Sequence, residues 1–140
     1  MERTYVMIKP DVTTRQDADN AIADIKEMIL NLGLQITADK MFDLSKEVLA
    51  EHYAHIVSKP FYPEIEEFMT SGPVVGMIVE GKNAVEKMGM LRGPTDPAGW
   101  GTDTIRAKYG KDIGTNAIHS SDSIENAEIE IVRFFAEDVV

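Results

Sequence analysis

His119 closes the short apolar run Ala117-Ile118 and is followed at once by Ser120, Ser121, Asp122 and Ser123. Hydroxyl and carboxylate side chains in such a row open helices, and the uncapped amides of a helix start attract anions. An imidazole with one ring nitrogen fixed by a carboxylate is a competent nucleophile towards phosphorus, and the segment after His119 carries carboxylates able to do that. The cations lie upstream. Lys87, Arg92, Arg106, Lys108 and Lys111 stand against Asp96 and Asp103 over residues 87–111, whereas from His119 onward Asp122, Glu125, Glu128, Glu130, Glu137 and Asp138 face Arg133 alone. A basic island in an acidic chain suits an anionic ligand.

Two further constellations carry less. Gly76 to Gly81-Lys82-Asn83 has the spacing of a Walker phosphate loop, but its spacer residues end a hydrophobic strand and Asn83 stands where a hydroxyl should reach a metal. His52 and His55 sit three apart on an expected helix, as two metal ligands can, yet no third ligand is evident and they read as surface histidines.

The elements that must position these residues follow from periodicity. Thr4 to Ile8 is a buried strand closed by Lys9-Pro10. Ile22, Ile25, Ile29 and Leu32 recur at helical spacing, with Asp17 or Asp19 to cap and Gly33 to stop. Gln35 to Leu44 alternates as a half-exposed strand. Ser45 can cap a helix with the stripe Val48, Leu49, Tyr53 and Ile56, and Pro63 opens a short helix that buries Ile65, Phe68 and Met69. Val74 to Val79 reads as a strand, Asn83 to Met88 as a short helix and Asn116 to His119 as a strand. A last helix capped by Asp122 or Ser123 turns Ile124, Ala127, Ile131 and Phe134 inward. Residues 89–116 hold eight glycines and prolines, so a long loop without regular structure is expected there. The order β α β α α β α loop β α implies a single α/β or α+β layered domain over residues 1–140 with a four-stranded sheet.

Composition narrows the function classes. A 140-residue chain with 44% hydrophobic and 27% charged residues is an ordinary soluble domain. Without cysteine it has no disulfide, thiolate metal site or catalytic thiol, and a reducing cytoplasm is expected. No apolar run approaches a membrane span, and Met1-Glu2-Arg3 opens straight into a strand, so neither secretion nor a membrane is expected. A formal charge of -10 and an isoelectric point near 4.7 weigh against a stable nucleic-acid partner. An RNA-binding sheet would need paired exposed aromatics, which neither Thr4 to Ile8 nor Val74 to Val79 carries.

Five segments in one order then carry a resemblance: Lys9-Pro10-Asp11, Thr70-Ser71-Gly72-Pro73, Gly93-Pro94-Thr95-Asp96-Pro97, Thr104-Ile105-Arg106, and Asn116 through Ser123. From Arg3 to about Phe135 the chain resembles the nucleoside diphosphate kinase family, whose Asn-x-x-His-x-Ser-Asp-Ser block is highly specific. The resemblance implies a ferredoxin-like βαββαβ α+β fold, a four-stranded antiparallel sheet with added helices and a long loop at about 89–116. It implies an enzyme that moves the γ-phosphoryl group from a nucleoside triphosphate to a diphosphate by a ping-pong route through phosphohistidine. ATP, GTP, GDP and their deoxy forms are the implied partners, Mg2+ held mainly by nucleotide phosphates the implied cofactor, and a homo-oligomer the implied assembly.

By the same resemblance His119 is the nucleophile, Glu130 the carboxylate that orients it, Ser121 the hydroxyl bonded to that carboxylate and Tyr53 the tyrosine beside the histidine. Lys9 reaches towards the transferring group, Arg106 and Thr95 bind phosphate, Phe61 and Ile113 sandwich the base, and Asn116 contacts the ribose. Phosphoryl transfer asks mainly for positioning and charge stabilisation, which such cations and hydroxyls supply, and stacking on Phe61 tolerates any base. Three positions depart from the pattern. Gly89 stands where the family has an arginine, with Arg92 as the nearest cation able to take its place. Val12 to Asn20 is longer and more polar than usual, and Thr102-Asp103 replaces a Pro-Gly pair. Gly89 and the altered Val12 to Asn20 segment also motivate a second expectation, a catalytically weak nucleotide-binding or regulatory homologue on the same fold.

Overall fold

The computed structural model describes residues 2–135; Met1 and the acidic Glu137 and Asp138 lie outside them. Four strands, β1 (Glu2–Ile8), β2 (Gln35–Phe42), β3 (Val74–Gly81) and β4 (Ile118–Ser120), form one sheet in the order β2-β3-β1-β4, and each neighbouring pair is antiparallel. With helices between β1 and β2 and between β3 and β4, this is the expected ferredoxin-like α+β arrangement.

The seven α-helices are α1 (Pro10–Thr13), α2 (Ala18–Leu30), α3 (Lys46–His52), α4 (Tyr62–Met69), α5 (Ala84–Arg92), α6 (Ile105–Tyr109) and α7 (Ile124–Phe135) among the described residues. The pleat of β1 divides the core. Val6 and Ile8 point to one face with Ile25 and Ile29 of α2 and Met88 of α5, while Tyr5 and Met7 point to the other with Leu49 of α3, Met69 of α4 and Ile131 and Phe134 of α7. All the residues of β1 from Thr4 on are buried, which is why it reads as an unbroken apolar run. In β2 exposed and half-buried positions alternate, and a bulge between Ile36 and Ala38 interrupts its register with β3.

Several local expectations need correcting. The segment 89–116 is not a featureless loop. Helix α5 runs on to Arg92, so Gly89 is helical, Pro97–Gly99 forms a 3-10 turn capped by Asp96, and α6 is capped by Thr104, whose hydroxyl accepts from Ala107 N at 3.0 Å. Trp100 holds this stretch together by donating from Nε1 to Pro94 O at 2.8 Å and packing beside Gly110, where an added Cβ would meet the indole at 2.9 Å. Pro10 opens the unexpected α1, and the polar stretch after it turns into α2 through an Arg15–Asp17 ion pair at 2.7 Å. Asp17 holds the N-cap position of α2, but its side chain makes no cap bond. Ser45 caps α3 as expected, accepting from Val48 N, and Ser123 caps α7, accepting from Asn126 N. Ile124 is 57% exposed and not turned inward. Helix α3 ends at His52, so Tyr53 and Ile56 follow it in turns, and β4 covers Ile118–Ser120 instead of starting at Asn116.

Candidate active site

The site forms where the ends of β1 and β4 meet the C-terminal ends of α3 and α5. Met7 lies opposite His119 in the β1–β4 pairing, so the imidazole projects to the α7 face of the sheet. There Glu130 of α7, 9% exposed, meets it: His119 Nε2 and Glu130 Oε1 are 2.8 Å apart. Ser121 Oγ donates to the same carboxylate oxygen at 2.7 Å and is itself held by Tyr5 N at 3.2 Å. Burial pushes the Glu130 carboxyl up, but the bonds from His119 and Ser121 and the neighbouring imidazoles outweigh it and leave it below its ordinary value. An ionised carboxylate on Nε2 puts the proton there and leaves Nδ1 with the lone pair.

The ring packed most closely against His119 is that of His52, with Tyr5 further off. The two imidazoles stand edge to face with centroids 4.8 Å apart, and Arg133 donates from Nη1 to His52 Nδ1 at 3.0 Å. Burial first, then the facing His119, lowers the His52 pKa to about 3. His55 is exposed, so the two histidines taken as a surface pair part company at the end of α3. Tyr53 lines the cleft beside His119, with His52 and Tyr62 as its ring neighbours, and burial pushes its hydroxyl up to about 12. The sequence signal for His52 is the residue next to it: the resemblance puts Tyr53 at the site, and both residues line the same cleft.

The cations gather on the other side of the imidazole. Lys9, 8% exposed, donates to Asn116 Oδ1 at 2.8 Å. Desolvation and then the Arg106 charge lower its pKa to about 8. Arg106 is buried on α6 and clamps three carbonyls, those of Gly93, Pro94 and Ile118, while its Nε has no partner. Desolvation, followed by Arg92, lowers it to about 10. Arg92 donates to Ser120 O and Oγ and to its neighbour Gly93 O, at 3.0, 2.9 and 3.0 Å. Its guanidinium lies back over Gly89, with Nη2 only 3.8 Å from where a Cβ on that residue would stand. Arg92, Thr95, Arg106, His119 and Glu130 line one cleft of about 590 Å³.

A second cleft of about 670 Å³ adjoins it, sharing Tyr53. Phe61, 49% exposed, and Ile113, 62% exposed, flank it, and Lys9, Phe68 and Met69 line it. Asn116, buried behind the second cleft, accepts from Lys9 at Oδ1 and donates from Nδ2 to Ile113 O at 3.1 Å, so it ties together two residues that line it. An apolar slot leading into a cationic pocket with a nucleophile at its end fits a flat heterocycle carrying a chain of phosphates. Among the described residues the one three-residue set able to ligate a metal is His52, His119 and Glu130, whose nitrogens suit borderline metals and not Mg2+.

The profile of a family described as nucleoside diphosphate kinase matches residues 2–140. A nucleoside diphosphate kinase of Archaeoglobus fulgidus is 42% identical over 140 residues, all of this chain and 90% of that one. Another from Natronomonas pharaonis is 44% identical, with 98% and 88% of the two chains covered. Among solved structures, the nucleoside diphosphate kinase of Encephalitozoon cuniculi superposes with a TM-score of 0.86 at 42% identity over 100% of this chain and 92% of that one. That of Aquifex aeolicus gives 0.85 at 39%, covering 96% and 94%. With its whole described length matched in sequence and in fold, the chain belongs to the nucleoside diphosphate kinase family.

Proposed function

We propose that the protein transfers the γ-phosphoryl group of a nucleoside triphosphate to a nucleoside diphosphate through a phosphohistidine at His119. The observation that carries this reading is the 2.8 Å contact of Glu130 with His119 Nε2, which leaves Nδ1 as the nucleophile beside the cationic cleft. In the first half-reaction Nδ1 forms a bond to the γ-phosphorus while the bond to the β–γ bridging oxygen breaks, and the nucleoside diphosphate leaves with that electron pair. The second half-reaction is the reverse with a different diphosphate. Positive charge that develops on the imidazole is balanced by Glu130, and charge on the equatorial phosphoryl oxygens is met by Lys9, Arg92 and Arg106, with Thr95 as a hydroxyl donor. Phe61 and Ile113 hold the base and Asn116 the ribose. Nothing in the slot selects one base by shape, so ATP, GTP, GDP and their deoxy forms all serve.

Mg2+ is part of the reading. The residues around the cleft fit an ion carried in by the nucleotide: Arg92 and Arg106 line it beside His119, and among the described residues no cage of hard oxygen ligands accompanies them. Such an ion would supply charge neutralisation to the phosphates, while Lys9, Arg92 and Arg106 would position them beside His119. The same reading expects a homo-oligomer, to be checked by sedimentation, and a place in the cytoplasm, in keeping with a cysteine-free chain; no described helix is long and apolar enough to cross a membrane. The weaker alternative, nucleotide binding without transfer, rests on Gly89 and on the altered segment Val12 to Asn20, and the guanidinium of Arg92 lying over Gly89 speaks against the first of these grounds.

The test incubates the protein with Mg2+ and γ-labelled ATP and then chases with GDP, alongside His119→Ala. Acid-labile, base-stable label that depends on His119 and passes to GTP is the expected result. Bound nucleotide without labelled protein would overturn the reading.

A further inference from the structure

Asp11 belongs to none of the groups assigned above, yet it reaches across the chain to the residue two before the nucleophile. Ala117 has φ +74°, a region that a residue with a Cβ seldom occupies. Ile118 N donates to Asn116 O at 2.9 Å across it, which closes a tight three-residue turn of the strained hand. The turn is held from both sides by the segment after β1. Lys9 N donates to Ala117 O at 2.8 Å, and Ala117 N donates to Asp11 Oδ2 at 2.9 Å. The other carboxylate oxygen, Oδ1, is buried without a partner, an arrangement that stability alone does not favour.

Downstream of the turn, Ile118 and His119 pair with Ile8 and Met7 of β1; upstream, Asn116 bonds both Lys9 and Ile113. The turn therefore sets the angle between the ribose amide and the nucleophile. The geometry points to Asp11 as a positioning residue: its Oδ2 holds Ala117 in a strained turn that aims Asn116 and His119 at the same nucleotide. Without that acceptor Ala117 relaxes towards ordinary φ, and the two side chains no longer address one ligand.

This inference rests on the phosphohistidine reading, so the readout is the first-order rate at which ATP and Mg2+ phosphorylate His119, a rate per folded molecule that loss of folded protein does not alter. Asp11→Asn keeps an acceptor for Ala117 N, whereas Asp11→Leu keeps the branched side chain of four heavy atoms without one. Asp11→Asn is expected to stay within about threefold of the parent rate and Asp11→Leu to fall about tenfold or more. Ala117→Gly, which takes φ +74° freely, is expected to recover at least about threefold in the Asp11→Leu background. A packing role predicts that Leu does as well as Asn and that glycine restores nothing. Either result, or a parent rate in Asp11→Leu, overturns the inference. Should Asp11→Leu not fold, Asp11→Ser, too short to reach Ala117 N, takes its place with the same expected pattern. If the parent protein takes no label at all, it is the function that fails and not the role of Asp11.

Discussion

The imidazole of His52 meets that of His119 edge to face, with centroids 4.8 Å apart and planes 86° to one another. Its Nδ1 is taken by Arg133, which Glu51 approaches at 3.5 Å, so a line of three residues backs the nucleophile along one wall of the cleft.

This packing makes the fold acid-sensitive. His52 has a folded pKa of about 3 against about 6.5 when unfolded, so below pH 6.5 the unfolded chain takes up a proton that the folded one refuses. Stability is then highest above pH 6.5 and falls by roughly 1 kcal/mol for each pH unit from there towards 3. Urea titrations at pH 7 and pH 5 should show this loss, and His52→Gln should reduce it by roughly 1–2 kcal/mol. An unchanged difference in the variant would remove His52 from the account.

Lys9 sets an alkaline limit. Burial and the nearby guanidinium of Arg106 bring its pKa to about 8, and its charge is lost as pH rises through that value. kcat/KM, which reports the free enzyme, should decline above pH 8, whereas kcat should hold to higher pH because bound phosphates favour the charged lysine. Lys9→Arg, charged throughout, should lose the limb of kcat/KM even if its overall rate is lower.

Arg92 and Gly89 should exchange roles. Arg92→Ala is expected to lower kcat/KM by about tenfold or more, the loss of one charge-assisted phosphate contact. Space at Gly89 is open apart from that guanidinium, so Gly89→Arg in the same background should recover part of the loss. Steady-state kinetics of the three proteins decide it; no effect of Arg92→Ala would mean that the phosphates do not reach that side.

Phe61 should affect binding more than chemistry. Phe61→Ala removes one wall of the base slot and should raise KM by about tenfold for purine and pyrimidine nucleotides alike, with a smaller change in kcat, as stacking is worth roughly 1–3 kcal/mol. A loss confined to one base would show that the slot reads more than a π-face.

The sheet was legible in the sequence because its strands carry the strongest pattern: a continuous apolar run in β1 and β3, alternation in β2. His119, Ser121, Lys9, Thr95 and Arg106 are legible through the family blocks, Glu130 through the wider resemblance and Arg92 as the cation nearest Gly89, and they come together in the fold. Helices α1 and α6 were not, because four and five residues are too few to show a helical period; Pro10 announces the first and the Thr104 cap the second. His52 was misread as a surface histidine because its burial depends on α3 ending where it does and on α7 packing across, and neither is local. Asp11 went unnoticed for the same reason: its partner lies 106 residues away.

Alternate residues of β1 serve different halves of the molecule, Val6 and Ile8 one side and Tyr5 and Met7 the other. A slip of one residue between β1 and β4 would trade the sides, taking His119 away from Glu130 and presenting Ile118 in its place. Misalignment of the chain therefore cannot yield a sluggish enzyme with a slightly displaced nucleophile. It yields none, and within a refolding population activity counts correctly registered molecules one for one.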